Sequence, residues 1–67
     1  MLDIVDLLDV EVLDVSQRAL LVAIPTQTGV RREISVPTGV IDEGPRKKGE
    51  RGVLSVLRWW AESTGLI

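Results

Sequence analysis

The most constraining stretch of this chain is Ala19-Leu20-Leu21-Val22-Ala23-Ile24, a continuous apolar run closed by Pro25. It is too short for a stable helix, and with its Val and Ile it reads as a buried central strand. The flanking sequence says how that strand is paired. Upstream, Asp9-Val10-Glu11-Val12 alternates polar and apolar as a half-buried strand does. Leu13 and Val15 then shift the phase by one, as at a bulge or the approach to a turn. Ser16-Gln17-Arg18 is polar and short enough to close a hairpin. Downstream, Thr26-Gln27-Thr28-Gly29 reads as a turn, with Gly29 free to take a positive φ. Arg31 to Pro37 follows, with Ile34 and Val36 on one face. Arg32 belongs to the same alternation set but stands at the strand's start, where it reaches solvent. Pro37 ends the strand because it has no N–H for a ladder. Residues 9–37 are thus expected to form a three-stranded antiparallel meander.

The rest of the chain is read against that meander. Val40 and Ile41, after Thr38-Gly39, are expected to form a short helical turn that plugs the core. Residues 42–51, with Gly44, Pro45 and Gly49, read as a mobile polar loop. Gly52 to Val56 fits a fourth strand and Leu57 to Thr64 a short helix. Gly65 stands at a left-handed C-terminal cap, with Leu66 as its apolar contact. An alternative runs the helix back to Val53, because Val53, Val56, Leu57, Trp60 and Ala61 make a helical stripe. The arm over 1–8 is ambiguous: its apolar residues are too dense for a small solvated helix, so it joins the sheet or packs on a partner. The expected fold is one α+β domain over 1–67. It is a small curled antiparallel sheet of three or four strands, open or closed into a Src-homology-3-like barrel, with a short C-terminal helix.

With 67 residues, a chain buries only about 60% of the surface its unfolded form exposes. Such a core supplies about 3–5 kcal/mol unless something staples it. The sequence has no Cys and no His, which leaves no disulfide and no thiolate or imidazole metal site. Regular packing or oligomerisation is the remaining route to stability. Met1 to Asp6 carries acids where a secretory leader carries bases, and no apolar run approaches the ~20 residues that span a bilayer. The expected setting is therefore cytoplasmic, with no membrane partner. Net charge is −2, but Asp3, Asp6, Asp9, Glu11 and Asp14 precede any base, whereas residues 46–51 hold four bases and one acid.

Several short motifs resemble a group of very small uncharacterised proteins of bacteriophages and prophages. They are Ala19-Leu20-Leu21-Val22, Ile34-Ser35-Val36-Pro37, Val40-Ile41, Lys48-Gly49-Glu50-Arg51-Gly52, Trp59-Trp60-Ala61-Glu62 and the closing Gly65-Leu66-Ile67. The likeness covers roughly residues 10–67, and its motifs concern packing and carry no chemistry. Leu57 departs from it, standing where a helix-starting Pro is common, and Thr38-Gly39 replaces a more polar pair. The resemblance implies a phage-type origin, a place in the host cytoplasm, and a role near DNA metabolism or host takeover.

Catalysis needs an activated nucleophile, an acid–base pair or a metal. Without His or Cys the common triads and dyads are absent. Ser16, Ser35 or Ser55 could meet only Lys47 or Lys48, in the polar loop. Asp42-Glu43 reads as a solvated turn with nothing to raise a pKa. Asp3, Asp6 and Asp9 lack the Gly and the bidentate acid of a calcium loop. Gly49 and Gly52 form no phosphate-cradling motif. The expectation is a non-enzymatic protein with no cofactor and no metal. Two binding surfaces remain. Arg31, Arg32, Arg46, Lys47, Lys48 and Arg51 could follow a nucleic-acid backbone, although the total charge is acidic and no aromatic lies on a strand.

The other surface is a protein contact. Adjacent residues on a helix point about 100° apart, so Trp60, sharing a face with Leu57 and Ala61, is the core residue. Trp59 then sits with Arg58 and Glu62 nearer the surface, as an interface anchor. The alternative wedges both Trp residues into a core that has no Phe or Tyr. The reading adopted is a small accessory or regulatory protein that binds another protein stoichiometrically. In one form it inhibits a host enzyme or defence complex, with Asp3, Asp6, Asp9, Glu11 and Asp14 competing with nucleic acid for a basic groove. A nucleic-acid-associated module and a self-associating structural piece are the rival readings.

Overall fold

The computed structural model describes residues 3–25 and 28–67. The strands are β1 (Ile4–Val15), β2 (Ala19–Pro25), β3 (Arg31–Pro37), β4 (Ile41–Glu43) and β5 (Arg51–Leu57). A 3-10 turn, Thr38–Val40, precedes β4, and the helix α1 (Arg58–Ser63) follows β5. All pairings are antiparallel, in the order β3-β2-β1-β5-β4. The meander forms as its alternation requires, and the arm before Asp9 joins the sheet as the first half of β1. Met1 and Leu2 of that arm and Thr26-Gln27 of the β2–β3 turn lie outside the described residues.

The fold is thus α+β, with five strands instead of three or four. The sheet is not closed into a barrel: β3 and β4 are its two edges. The added strand, β4, is only three residues long and holds one buried residue, Ile41. That is too little pattern to register as a strand in the sequence. The helix does not run back to Val53, which is exposed on β5 while Leu54 and Val56 face the core.

β1 holds the sheet together, pairing with β5 along its first part and with β2 along its second. Two irregularities bend it. Between Leu7 and Val10 it spends one residue more than the facing Leu54 to Gly52. Asp9 absorbs the difference at φ 55, a left-handed conformation that Asp tolerates better than most residues. The second extra residue is Leu13, between Val12 and Asp14, where the phase of the sequence slips. Because of these bulges Leu7, Val10 and Val12 all face inward and are buried.

They meet Leu20, Val22 and Ile24 from β2, Val36 from β3, and Leu54 and Val56 from β5. Val40 and Ile41 plug one side, as the spacing suggests, and Trp60 and Ala61 cover the core from α1. The helix ends in a Schellman motif: Gly65 N–H donates to the Glu62 carbonyl (3.2 Å) and Leu66 N–H to the Ala61 carbonyl (2.9 Å). Gly65 takes φ 78 there, and Leu66 packs on the core.

Candidate protein-interaction surface

The surface is built from the start of α1 outward. No side chain caps this helix. Its first N–H, on Arg58, donates instead to the Asp3 carbonyl at 2.9 Å. The same two residues pair through their side chains, Arg58 Nε to Asp3 Oδ2 at 2.8 Å. This hydrogen bond, with the charge of Asp3 behind it, holds the Arg58 guanidinium above its ordinary pKa. Asp3 therefore fastens the start of the sheet to the start of the helix.

On that helix Trp60 is 8% exposed and Trp59 61%. The alternative in which both rings enter the core is not what forms, because a two-turn helix offers one inward face. Glu62 is exposed one turn beyond Arg58 and Trp59. Beside the helix start, Leu57 forms a groove of about 220 Å³ with Gly39, Val40, Ile41 and Asp42. That is below the range of a cofactor site and of a size for one apolar side chain.

The other candidate residues are brought together differently from their order in the sequence. Asp9 and Glu11 meet Arg31 of β3 and Arg51 of β5 in one cluster. Arg31 lies 3.8 Å from the Asp9 carboxylate and 3.9 Å from that of Glu11. It also donates to the backbone carbonyls of Asp9 (3.2 Å) and Ala23 (3.3 Å). Arg51 lies 3.6 Å from Asp9 and 3.2 Å from Glu11. Asp9 and Glu11 of the acidic N-terminal stretch are thus paired with two members of the basic set.

The remaining acids have local partners as well. Asp6 accepts from Ser55 Oγ at 2.6 Å across β1 and β5, and Asp14 accepts from the Val15 N–H. Arg46, Lys47 and Lys48 stand exposed in the turn between β4 and β5. The Glu50 carboxylate accepts the backbone N–H groups of Arg46 (3.2 Å) and Lys47 (2.9 Å). Gly49 N–H donates to the Val12 carbonyl and Val12 N–H to the Glu50 carbonyl, both at 2.8 Å. The stretch read as a loop over 42–51 is therefore tied to β1 at its far end and starts within β4. Arg32 is exposed at the start of β3, away from that turn in sequence and in the strand order.

Sequence reading missed Leu8, 66% exposed beside the Asp9 bulge, and Val53, 46% exposed on β5. The signal was the doubled Leu7-Leu8, which breaks a strict alternation. Among the described residues no group of three or more Asp, Glu, His or Cys is placed to hold a metal ion. No described helix is long and apolar enough to cross a membrane. No protein-family model, curated protein or solved structure matches this chain.

Proposed function

We propose that this protein acts by stoichiometric binding of another protein, through the face of α1 that carries Arg58, Trp59 and Glu62, and not by catalysis. The observation that carries this reading is the exposure of Trp59. Its ring remains 61% accessible on a helix already anchored by Trp60 inside and by Asp3 at its start. A large aromatic that the core does not need is a favoured interface anchor. The adjacent groove at Leu57 suits a partner side chain.

The ion-pair cluster argues about the form of binding. Asp9 and Glu11 already neutralise Arg31 and Arg51, which weakens both mimicry of nucleic acid by the acids and phosphate binding by the bases. A contact centred on Trp59 needs neither. The resemblance to phage proteins would make the partner a host enzyme or defence complex and the setting its cytoplasm. The test is capture from host lysate with wild-type and Trp59→Ala baits side by side. The expected result is a partner held by the wild type and lost with the variant, both baits showing the same thermal unfolding. Equal capture by both would sink the assignment to Trp59.

A further inference from the structure

The two edges of the sheet are unequal. β4 offers three residues before Gly44, whereas β3 offers seven, Arg31–Pro37. An edge strand presents unpaired N–H and C=O groups to any strand that fits. Which groups β3 presents follows from its neighbours. Ser16 N–H donates to the Ala19 carbonyl, so the backbone groups of Ala19 point to β1 and away from its opposite residue on β3, Pro37. Thr38 N–H donates to the Arg18 carbonyl on the β2 side. Both observations set the same alternation: Ile34 and Val36 bond to β2, while Arg31, Glu33 and Ser35 turn their backbone groups outward. Pro37 has its missing N–H on the open side, where it costs no bond to β2.

The charges of this edge are also arranged. Arg31 folds back over the sheet to the Asp9 and Ala23 carbonyls and the carboxylates of Asp9 and Glu11. On the outer face this leaves Glu33 and Ser35, both exposed. On the inner face Ile34 is half-buried and packs against the core.

We infer that two copies of this protein join through β3, edge to edge and antiparallel, across a two-fold axis at Ile34. In that register the strands overlap along their whole length. Glu33 faces the partner's Ser35 and exchanges both backbone hydrogen bonds with it, and Ile34 meets the partner's Ile34, continuing the core. A one-residue slip turns the wrong faces together. A two-residue slip one way sets Glu33 against the partner's Glu33, a destabilising like-charge pair. The same slip the other way shortens the overlap to residues 33–37 and leaves Arg31 with no strand residue opposite it. Since β4 is too short to pair, the contact is isologous and closes as a dimer without growing into a filament. A single strand pair is a small interface, so the dimer is a weak one.

Sedimentation equilibrium on the full chain tests this, with the wild type, Ser35→Glu, Ser35→Lys and Trp59→Ala. The wild type should pass from monomer to dimer as concentration rises toward about 1 mM. Ser35→Glu places like charges opposite Glu33 twice per dimer and should weaken it about tenfold, whereas Ser35→Lys should strengthen it. Trp59→Ala should leave the dimer unchanged, which separates this contact from the α1 surface. A wild type that stays monomeric over the whole range overturns the inference. So does a dimer that responds alike to Glu and Lys at position 35, with thermal unfolding confirming that both variants fold.

Discussion

Trp59 and Trp60 are neighbours in the chain and opposites in the structure. Trp60, Leu54 and Val56 share a core built without Phe or Tyr, so this ring supplies more buried surface than any aliphatic residue around it. Removing a buried Trp costs about 3–5 kcal/mol, as much as a core of this size provides. Trp60→Ala is therefore expected to abolish the cooperative transition in urea followed by far-ultraviolet circular dichroism. Trp59→Ala removes a ring that is mostly in water and should move the midpoint by no more than about 0.5 kcal/mol equivalent. A large loss from Trp59→Ala would make the exposed ring a packing residue and remove the basis of the proposed surface. Asp9 is the other residue whose conformation matters. Its φ of 55 costs a β-branched residue more than Asp or Asn. Asp9→Asn should thus cost no more than about 1 kcal/mol, the upper range for exposed ion pairs. Asp9→Val should lose about 1–2 kcal/mol more through the left-handed backbone, and the same urea titrations measure both.

At the scale of elements, two glycines with positive φ do different work. Gly65 closes α1 at φ 78 with nothing within 4 Å of where a Cβ would stand. Gly65→Ala should therefore cost only the left-handed backbone, about 1–2 kcal/mol. Gly44 ends β4 at φ 142, and a Cβ there would lie 2.8 Å from Leu54 Cδ1 and 2.9 Å from Leu54 Cα and the Val53 oxygen. That backbone cannot yield without parting β4 from β5, so Gly44→Ala is expected to unfold the domain or leave β4 unpaired. Amide hydrogen exchange at Ile41 and Glu43 distinguishes this from a mere shift in stability. The same contrast marks what the sequence reveals. Strong patterns such as Ala19–Ile24 and the Gly65-Leu66 cap were legible, because local alternation and cap chemistry set them. β4 was not, since one inward residue in three makes no period. The left-handed turn at Asp9 was hidden as well, because it follows from matching β1 to β5 across the sheet. Arg31 and Arg51 read as part of a basic surface until Asp9 and Glu11 are placed beside them. Those contacts join residues 22 and 40 positions apart, and no local rule anticipates them.

For the whole molecule, the consequence is a charge pattern flatter than the sequence suggests. The eight bases fall into groups with different partners. Arg31, Arg51 and Arg58 are held by carboxylates, Arg18 and Arg32 stand apart on other strands or turns, and only Arg46, Lys47 and Lys48 are contiguous and exposed. The affinity of a protein for nucleic acid falls with salt by about 0.7–0.9 logarithmic units per phosphate neutralised. Three loop bases therefore allow a slope of about −2 to −3 and a contact that vanishes near physiological salt. A slope near −4 would mean that Arg31 and Arg51 also reach phosphates, which requires breaking their pairs with Asp9 and Glu11. Fluorescence anisotropy with labelled single-stranded and duplex DNA, titrated from about 10 mM to 200 mM salt, reads this slope directly. The expected outcome is weak retention or none at the lowest salt, and no steeper slope than three bases provide. Retention at 150 mM with the steeper slope would move the functional surface from α1 to the cluster on the sheet, and the rival nucleic-acid reading would replace the one proposed.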